Sequence, residues 1–132
     1  NIGQDVAMIV QKLGIEKEVF VQSFSPRAIR EFHEVLPGVT TGYLTGNKVS
    51  DDSIARAREH RRIAAEAGAS VVVCNYKLAD QAYIEELHSS GFIVWVYTVD
   101  DEGIMRSLME SGIDGIITNV PAVTVGLRKG TQ

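Results

Sequence analysis

Residues able to do acid–base or metal chemistry are present in this chain, but few sit where a fold would gather them. The 132 residues hold three histidines, His33, His60 and His88, and one cysteine, Cys74. General acid–base catalysis needs a titratable pair within hydrogen-bond reach of the reacting group, and a Mg²⁺ or Ca²⁺ site needs several converging oxygen ligands. All three histidines fall inside predicted helices and are read as surface groups. Asp100 is the one acid expected at a strand end, and it reads equally as the N-cap of the helix that starts at Asp101. One carboxylate makes no metal site, so no residue is assigned a catalytic or metal-binding role.

A different set occupies the positions where a parallel sheet presents its ligand site. Ser23 and Phe24, Leu44, Asn75 and Tyr97 fall at the C-terminal ends of four predicted strands or just past them, and are read as the wall of a pocket. Phe24 and Tyr97 fit equally a role as lids on the core beneath. Lys77, just past a strand, would attract phosphate but is read as solvated. The run Arg56, Arg58, His60, Arg61 and Arg62 invites an anion site. Interleaved with Glu59 and Glu66 at helical spacing, it is read as a solvated face.

These positions depend on an alternation of helix and strand along nearly the whole chain. Val6, Ile9, Val10 and Leu13 make one face of an opening helix over Asp5 to Leu13, stopped by Gly14. Val19 to Phe24 is a β-branched and aromatic strand that hands over at Ser25-Pro26, an N-cap with Pro at the first helical position. Ile29, Phe32 and Leu36 stripe the next helix, Pro37-Gly38 ends it, and Val39 to Leu44 forms a second strand. A helix from Ser50 or Asp51 carries Ile54, Ile63 and Ala67 and leads to the apolar strand Ala69 to Cys74. A helix over 79–89, with Ile84 and Leu87 inward, precedes the strand Phe92 to Val99. A helix with Ile104 and Leu108, a strand from Asp114 to Thr118 and a last helix from Pro121 complete the series.

Strands apolar on both faces and separated by helices belong in a parallel sheet covered by helices. Length suits an open, doubly wound, flavodoxin-like sheet of five strands. The alternative is part of a (β/α)8 barrel, which needs roughly 200 to 250 residues. The opening helix favours the barrel, since it reads as the end of a preceding unit.

The chain is large enough for one globular core, with 45% hydrophobic and 23% charged residues, so residues 1–132 are expected to form a single, partial domain. A net charge of −4 argues against a nucleic-acid partner. No run approaches about 18 consecutive apolar residues and no basic stretch leads into an apolar one, which predicts a soluble chain without a membrane span or signal peptide. The lone Cys74 excludes an internal disulfide and leans toward a reducing, cytoplasmic compartment without fixing it.

The segments Gln22-Ser23-Phe24, Gly42-Tyr43-Leu44, Asn75-Tyr76-Lys77-Leu78, Val96-Tyr97-Thr98-Val99-Asp100 and Gly112-Ile113-Asp114-Gly115-Ile116-Ile117-Thr118-Asn119-Val120-Pro121 occur in the order and spacing of one family. Residues 19–121 resemble the C-terminal part of glycerophosphodiester phosphodiesterases. That family's penultimate strand ends in aromatic-Thr-Val-Asn, and its last reads Gly-Val-Asp-Gly-Ile-Ile-Thr-Asp-x-Pro. The departures are Tyr97 where Trp is more frequent, Asp100 where Asn is usual, and Asn119 where Asp is usual.

The resemblance implies the C-terminal five βα units of a TIM barrel. In the complete protein it implies metal-dependent hydrolysis of glycerophosphodiesters to sn-glycerol 3-phosphate and an alcohol, with Mg²⁺ or Ca²⁺. Phe24 and Tyr97 would then offer apolar surface to the glycerol or alcohol moiety, and Asn75 a hydrogen bond to a hydroxyl. The family's His-Arg-Gly motif, Glu-x-Asp pair, second His and Glu-x-Lys strand have no counterpart here, so the chain alone is expected to be inactive. A receiver-like signalling module fits poorly, because Ser23-Phe24 and Cys74-Asn75 stand where that class needs acids. A third possibility is a non-catalytic half-barrel whose open edges favour self-association or association with the missing N-terminal half.

Overall fold

The computed structural model describes residues 1–46 and 50–119. Its elements alternate: α1 (Ile2–Leu13), β1 (Val21–Ser23), α2 (Pro26–Val35), β2 (Thr41–Leu44), α3 (Ser53–Ala67), β3 (Val71–Asn75), α4 (Gln81–Ser89), β4 (Ile93–Tyr97), α5 (Glu102–Glu110) and β5 (Gly115–Ile116). A 3-10 turn at Tyr76–Leu78, absent from the expectation, separates β3 from α4. The helix expected from Pro121 lies outside the described residues. Each strand is shorter than its apolar run, because an apolar run reports burial and not pairing. Ala69 and Phe92 pack in the core, and Phe20 packs against Trp95, without joining the ladder.

Helices α2 to α5 each open on a short polar cap. Ser25, Asp52, Asp80 and Asp101 accept from the N–H groups of Ala28, Ala55, Tyr83 and Ile104 at 2.8–3.1 Å. These bonds satisfy donors that the first helical turn leaves without a partner. The cap of α5 is therefore Asp101, and the expectation that Asp100 would cap it is corrected.

The five strands among the described residues are parallel and lie in the order β1-β2-β3-β4-β5. A doubly wound sheet reverses direction at a switch point to put helices on both faces. Here every crossover steps one strand the same way, and right-handed crossovers of that kind put every helix on one side. Tyr43, Val72, Cys74, Val94 and Val96 accordingly share one core with Ile29, Ala57, Ala64, Tyr83, Ile84, Leu87, Met105 and Leu108 of α2 to α5. The flavodoxin-like alternative gives way to an arc of a barrel, with β1 and β5 at its edges among the described residues.

The helix-free face shows the curl directly. Phe20 precedes β1 and Trp95 lies on β4, three strand spacings or about 14 Å apart along a flat sheet. Their ring centroids are 4.6 Å apart with planes tilted by 40°, so the sheet bends toward that face. Two glycines make room for the rings. A Cβ on Gly42 would lie 2.6 Å from Phe20, and one on Gly115 would lie 2.6 Å from Trp95.

Helix α1 corrects a second expectation. Of the expected face Val10 is buried, but Ile9 and Leu13, with Ile2 and Met8, are 58–69% exposed, and Gly3 and Ala7 are buried in their place. A Cβ on Gly3 would sit 2.3 Å from the Ala28 carbonyl oxygen, so α1 approaches α2 through its small residues. In α3, likewise, Ile54 is exposed and the inward positions are Arg56, Ala57, His60, Ala64 and Ala67.

Candidate functional site

The strand C-termini carry the residues singled out from sequence, and the structure treats them differently. Tyr43 and Val72 pack toward the helices, so Leu44, Asn75 and Tyr97 fall by alternation on the concave face with Gly42, Val73 and Trp95. Asn75 and Tyr97 are register partners on β3 and β4. The Tyr97 hydroxyl reaches across β3 and donates to the Thr45 carbonyl at 3.2 Å. Burial, followed by the neighbouring Cys74, raises the Tyr97 pKa above the ordinary phenol value. Tyr97 thus acts here as a neutral hydrogen-bonding group.

Ser23 and Phe24 differ from those three. Ser23 shares the strand parity of Val21, which packs on the helix side, and its Oγ accepts from the Ser25 N–H at 3.0 Å. Phe24 lies just past β1 with 59% of its surface exposed. Asn75 Oδ1 accepts from the Lys77 N–H at 3.0 Å, which turns the chain into the 3-10 segment. Lys77 is exposed, with Nζ 6.0 Å from the Tyr76 ring centroid.

Asp100 closes the far end of this rim. Its Oδ1 accepts from the Asn119 N–H at 2.8 Å and the Thr118 hydroxyl at 3.1 Å. The Asn119 N–H bond first, aided by the Asn119 and Thr118 side chains, holds its carboxyl below the ordinary aspartate pKa. Among the described residues no three His, Cys, Asp or Glu side chains gather where they would hold a metal ion. Asp100, already engaged, adds one carboxylate where several oxygens are needed. The described residues do not fit a divalent-ion site. An open groove of about 540 Å³ along α1, lined by Asp5, Met8, Ile9, Gln11 and Lys12, includes none of the strand-end residues.

Behind the rim lies a polar cluster that the sequence reading placed on the surface. Arg56 is 5% and His60 3% exposed, which corrects both the solvated-face reading of the arginine run and the surface reading of His60. The spacing 56/57, 60, 64 and 67 is the signal: Arg56 and His60 stand on the same helical stripe as three inward alanines. The Arg56 guanidinium donates to the Leu78 carbonyl at 2.7 Å and the Ser50 carbonyl at 3.0 Å, lies 3.5 Å from Asp80 Oδ2, and stands 5.4 Å from the Tyr83 ring centroid. Burial would raise the Asp80 pKa. Hydrogen bonds from Ser53 and the Tyr83 N–H, with the Arg56 charge, outweigh burial and hold it below its ordinary value.

Deeper in, His60 Nδ1 and the Tyr83 hydroxyl are hydrogen-bonded at 2.7 Å. Burial, reinforced by the Arg56 charge, lowers the His60 pKa to about 4, so the imidazole is neutral at pH 7. Burial pushes the Cys74 thiol up to about 12, which removes it as a nucleophile. Of the other histidines, His88 is exposed and paired with Asp114 at 2.7 Å, and His33 is half-buried against Gly68.

Among the described residues no helix is long and apolar enough to cross a membrane. Residues 1–123 match the model of the glycerophosphoryl diester phosphodiesterase family. A glycerophosphodiester phosphodiesterase of Bacillus subtilis is 28% identical over 114 residues, covering 86% of this chain and 37% of that protein. The chain spans 37–50% of the length of four curated relatives. A glycerophosphodiester phosphodiesterase structure from Parabacteroides distasonis superposes with a TM-score of 0.78 at 23% identity, over 98% of this chain and 53% of that one. An Oleispira antarctica phosphodiesterase in complex with the product sn-glycerol-3-phosphate gives 0.74 at 14% identity, over 97% and 51%. With the family matched across both ends of the sheet, the chain belongs to the glycerophosphoryl diester phosphodiesterase family.

Proposed function

We propose that this chain supplies the substrate-pocket wall of a phosphodiesterase that hydrolyses glycerophosphodiesters to sn-glycerol 3-phosphate and an alcohol. The observation that carries the reading is the family match over residues 1–123 together with the shared concave face of Leu44, Asn75 and Tyr97. The Oleispira protein, whose structure holds sn-glycerol-3-phosphate, supports a small phosphorylated polyol as the ligand class. Water attacks phosphorus, the bond from phosphorus to the alcohol oxygen breaks, and the alcohol leaves with a proton. On this reading Tyr97 and Phe24 offer apolar surface to the glycerol or alcohol part, Asn75 contributes an amide to a hydroxyl, and Ser23 shapes the first loop.

The reading assigns the acid–base pair and the Mg²⁺ or Ca²⁺ ion to the rest of a complete barrel. Glycerophosphocholine hydrolysis with either ion tests this: no turnover is expected from the chain alone, and robust turnover would overturn its assignment as wall. Titration of the ¹⁵N-labelled chain with sn-glycerol 3-phosphate should move the Asn75 and Tyr97 resonances, and silence at both would overturn the pocket. The open edges at β1 and β5 and the exposed face of α1 favour association with a second copy or with the remainder of a barrel. Light scattering that found a compact monomer at micromolar concentration would remove association with a second copy.

A further inference from the structure

We infer that Arg56 is a positioning residue that clasps the segment leading into α3, at Ser50, to the turn after β3, fixing the two loops at these described residues as one unit. The role of the strand-end rim in binding rests on the pocket reading above. The clasp itself rests on geometry. One guanidinium nitrogen donates to the Ser50 carbonyl at 3.0 Å, on the segment leading into α3, and the other to the Leu78 carbonyl at 2.7 Å, at the end of the turn leaving β3. The group is 5% exposed, so water competes little for these bonds.

The clasp has support on both sides. Asp80, which caps α4 through the Tyr83 N–H, hydrogen-bonds Ser53 in the first turn of α3 and lies 3.5 Å from Arg56. The Tyr83 ring faces the guanidinium and is hydrogen-bonded to His60 on the same helix as Arg56. On the concave side, Tyr97 ties β4 to Thr45 past β2. Arg56 therefore holds the end of β3 from the helix side, and Tyr97 ties β4 to the residue after β2 from the concave side. The planar fork matters as much as the charge, because two separate carbonyls are engaged by two separate nitrogens.

Amide hydrogen exchange on the full chain without ligand tests the clasp. In Arg56→Gln, exchange at the Asp52, Lys77 and Ala79 amides should accelerate about tenfold or more together, while the Ile93 and Ile117 amides, bonded to the Ser70 and Val96 carbonyls, keep their wild-type rates. Equal acceleration everywhere, or acceleration in one loop only, would overturn it. If Arg56→Gln fails to fold, Arg56→Lys decides. It keeps the charge and the stem but loses the fork, so both loops should still loosen, and wild-type rates at both would overturn the clasp. Titration with sn-glycerol 3-phosphate then separates the two ideas. Binding by wild type that falls at least severalfold in Arg56→Lys supports the positioning role, and equal binding despite loosened loops overturns it. No binding by wild type, with both loops loosened in the variant, overturns the pocket reading and leaves the clasp supported.

Discussion

The Asp100 carboxylate holds Asn119 twice, through Oδ1 to the backbone N–H at 2.8 Å and through Oδ2 to the side-chain amide at 3.3 Å. These are the two positions where the chain exchanges the family's Asn and Asp. In this chain the two positions put one carboxylate and one amide in contact. Asn119→Asp alone should set two carboxylates against each other and loosen the segment after β5. Adding Asp100→Asn should relieve it, read as recovery of slow exchange at the residue 119 amide.

The same contact sets a pH dependence. Because the Asp100 pKa is held below its ordinary value of 3.8, the folded state favours the ionised form, and this contribution is present above that value and lost as pH falls through the lower folded one. The Asn119 amide resonance should therefore titrate with a midpoint below 3.8. In Asp100→Ala that titration should vanish, and its persistence would assign it to another group.

His60 predicts a second, separate window. Its pKa is lowered from 6.5 to about 4. As pH drops below 6.5 the unfolded chain takes up a proton that the folded chain refuses, and stability falls with a slope approaching one proton. Urea midpoints measured between pH 6.5 and about pH 5, above the main carboxylate range, should decline in wild type. The decline should flatten in His60→Gln, even though that variant is less stable throughout.

The aromatic pair on the concave face offers an optical test. Trp95 is the only tryptophan, and a Cβ on Gly42 would lie 2.6 Å from Phe20 and 3.1 Å from Val73. Gly42→Ala should cost about 1–3 kcal/mol as an overpacked site and shift Trp95 emission to the red as Phe20 is displaced. Unchanged emission would mean that the rings do not depend on that glycine.

Helix α1 inverts the usual expectation for apolar substitution. Ile9 is 58% exposed and Ala7 is fully buried. Ile9→Gln should change the chain's stability by no more than about 0.5 kcal/mol, whereas Ala7→Leu should cost about 1–3 kcal/mol by forcing α1 from α2. Thermal melts of the two variants compare them directly.

The contrast explains what the sequence makes legible. The order of helices and strands is readable because apolar runs, caps such as Ser25 and stops such as Gly14 are local signals. The inward face of α1 is not, because close helix packing rewards small residues and Gly3 and Ala7 carry almost no hydrophobic signal. Arg56 and His60 escape notice for a related reason: charge suggests water, and only the stripe they share with Ala57, Ala64 and Ala67 points inward. At the rim, strand-end position brings Leu44, Asn75 and Tyr97 to one face. The alternation of β1 turns Ser23 the other way, and the Tyr97 bond to Thr45 links residues 52 positions apart, beyond any local pattern.

The strictly sequential strand order has a kinetic consequence. Every strand pair joins residues 20 to 29 positions apart, from Val21 with Thr41 and Trp95 with Gly115 to Gly42 with Val71. Loop-closure entropy grows slowly with length, so each pairing costs nearly the same as the last and none waits for distant ends to meet. Folding can start at any central unit and grow by accretion in either direction, as in a repeat array.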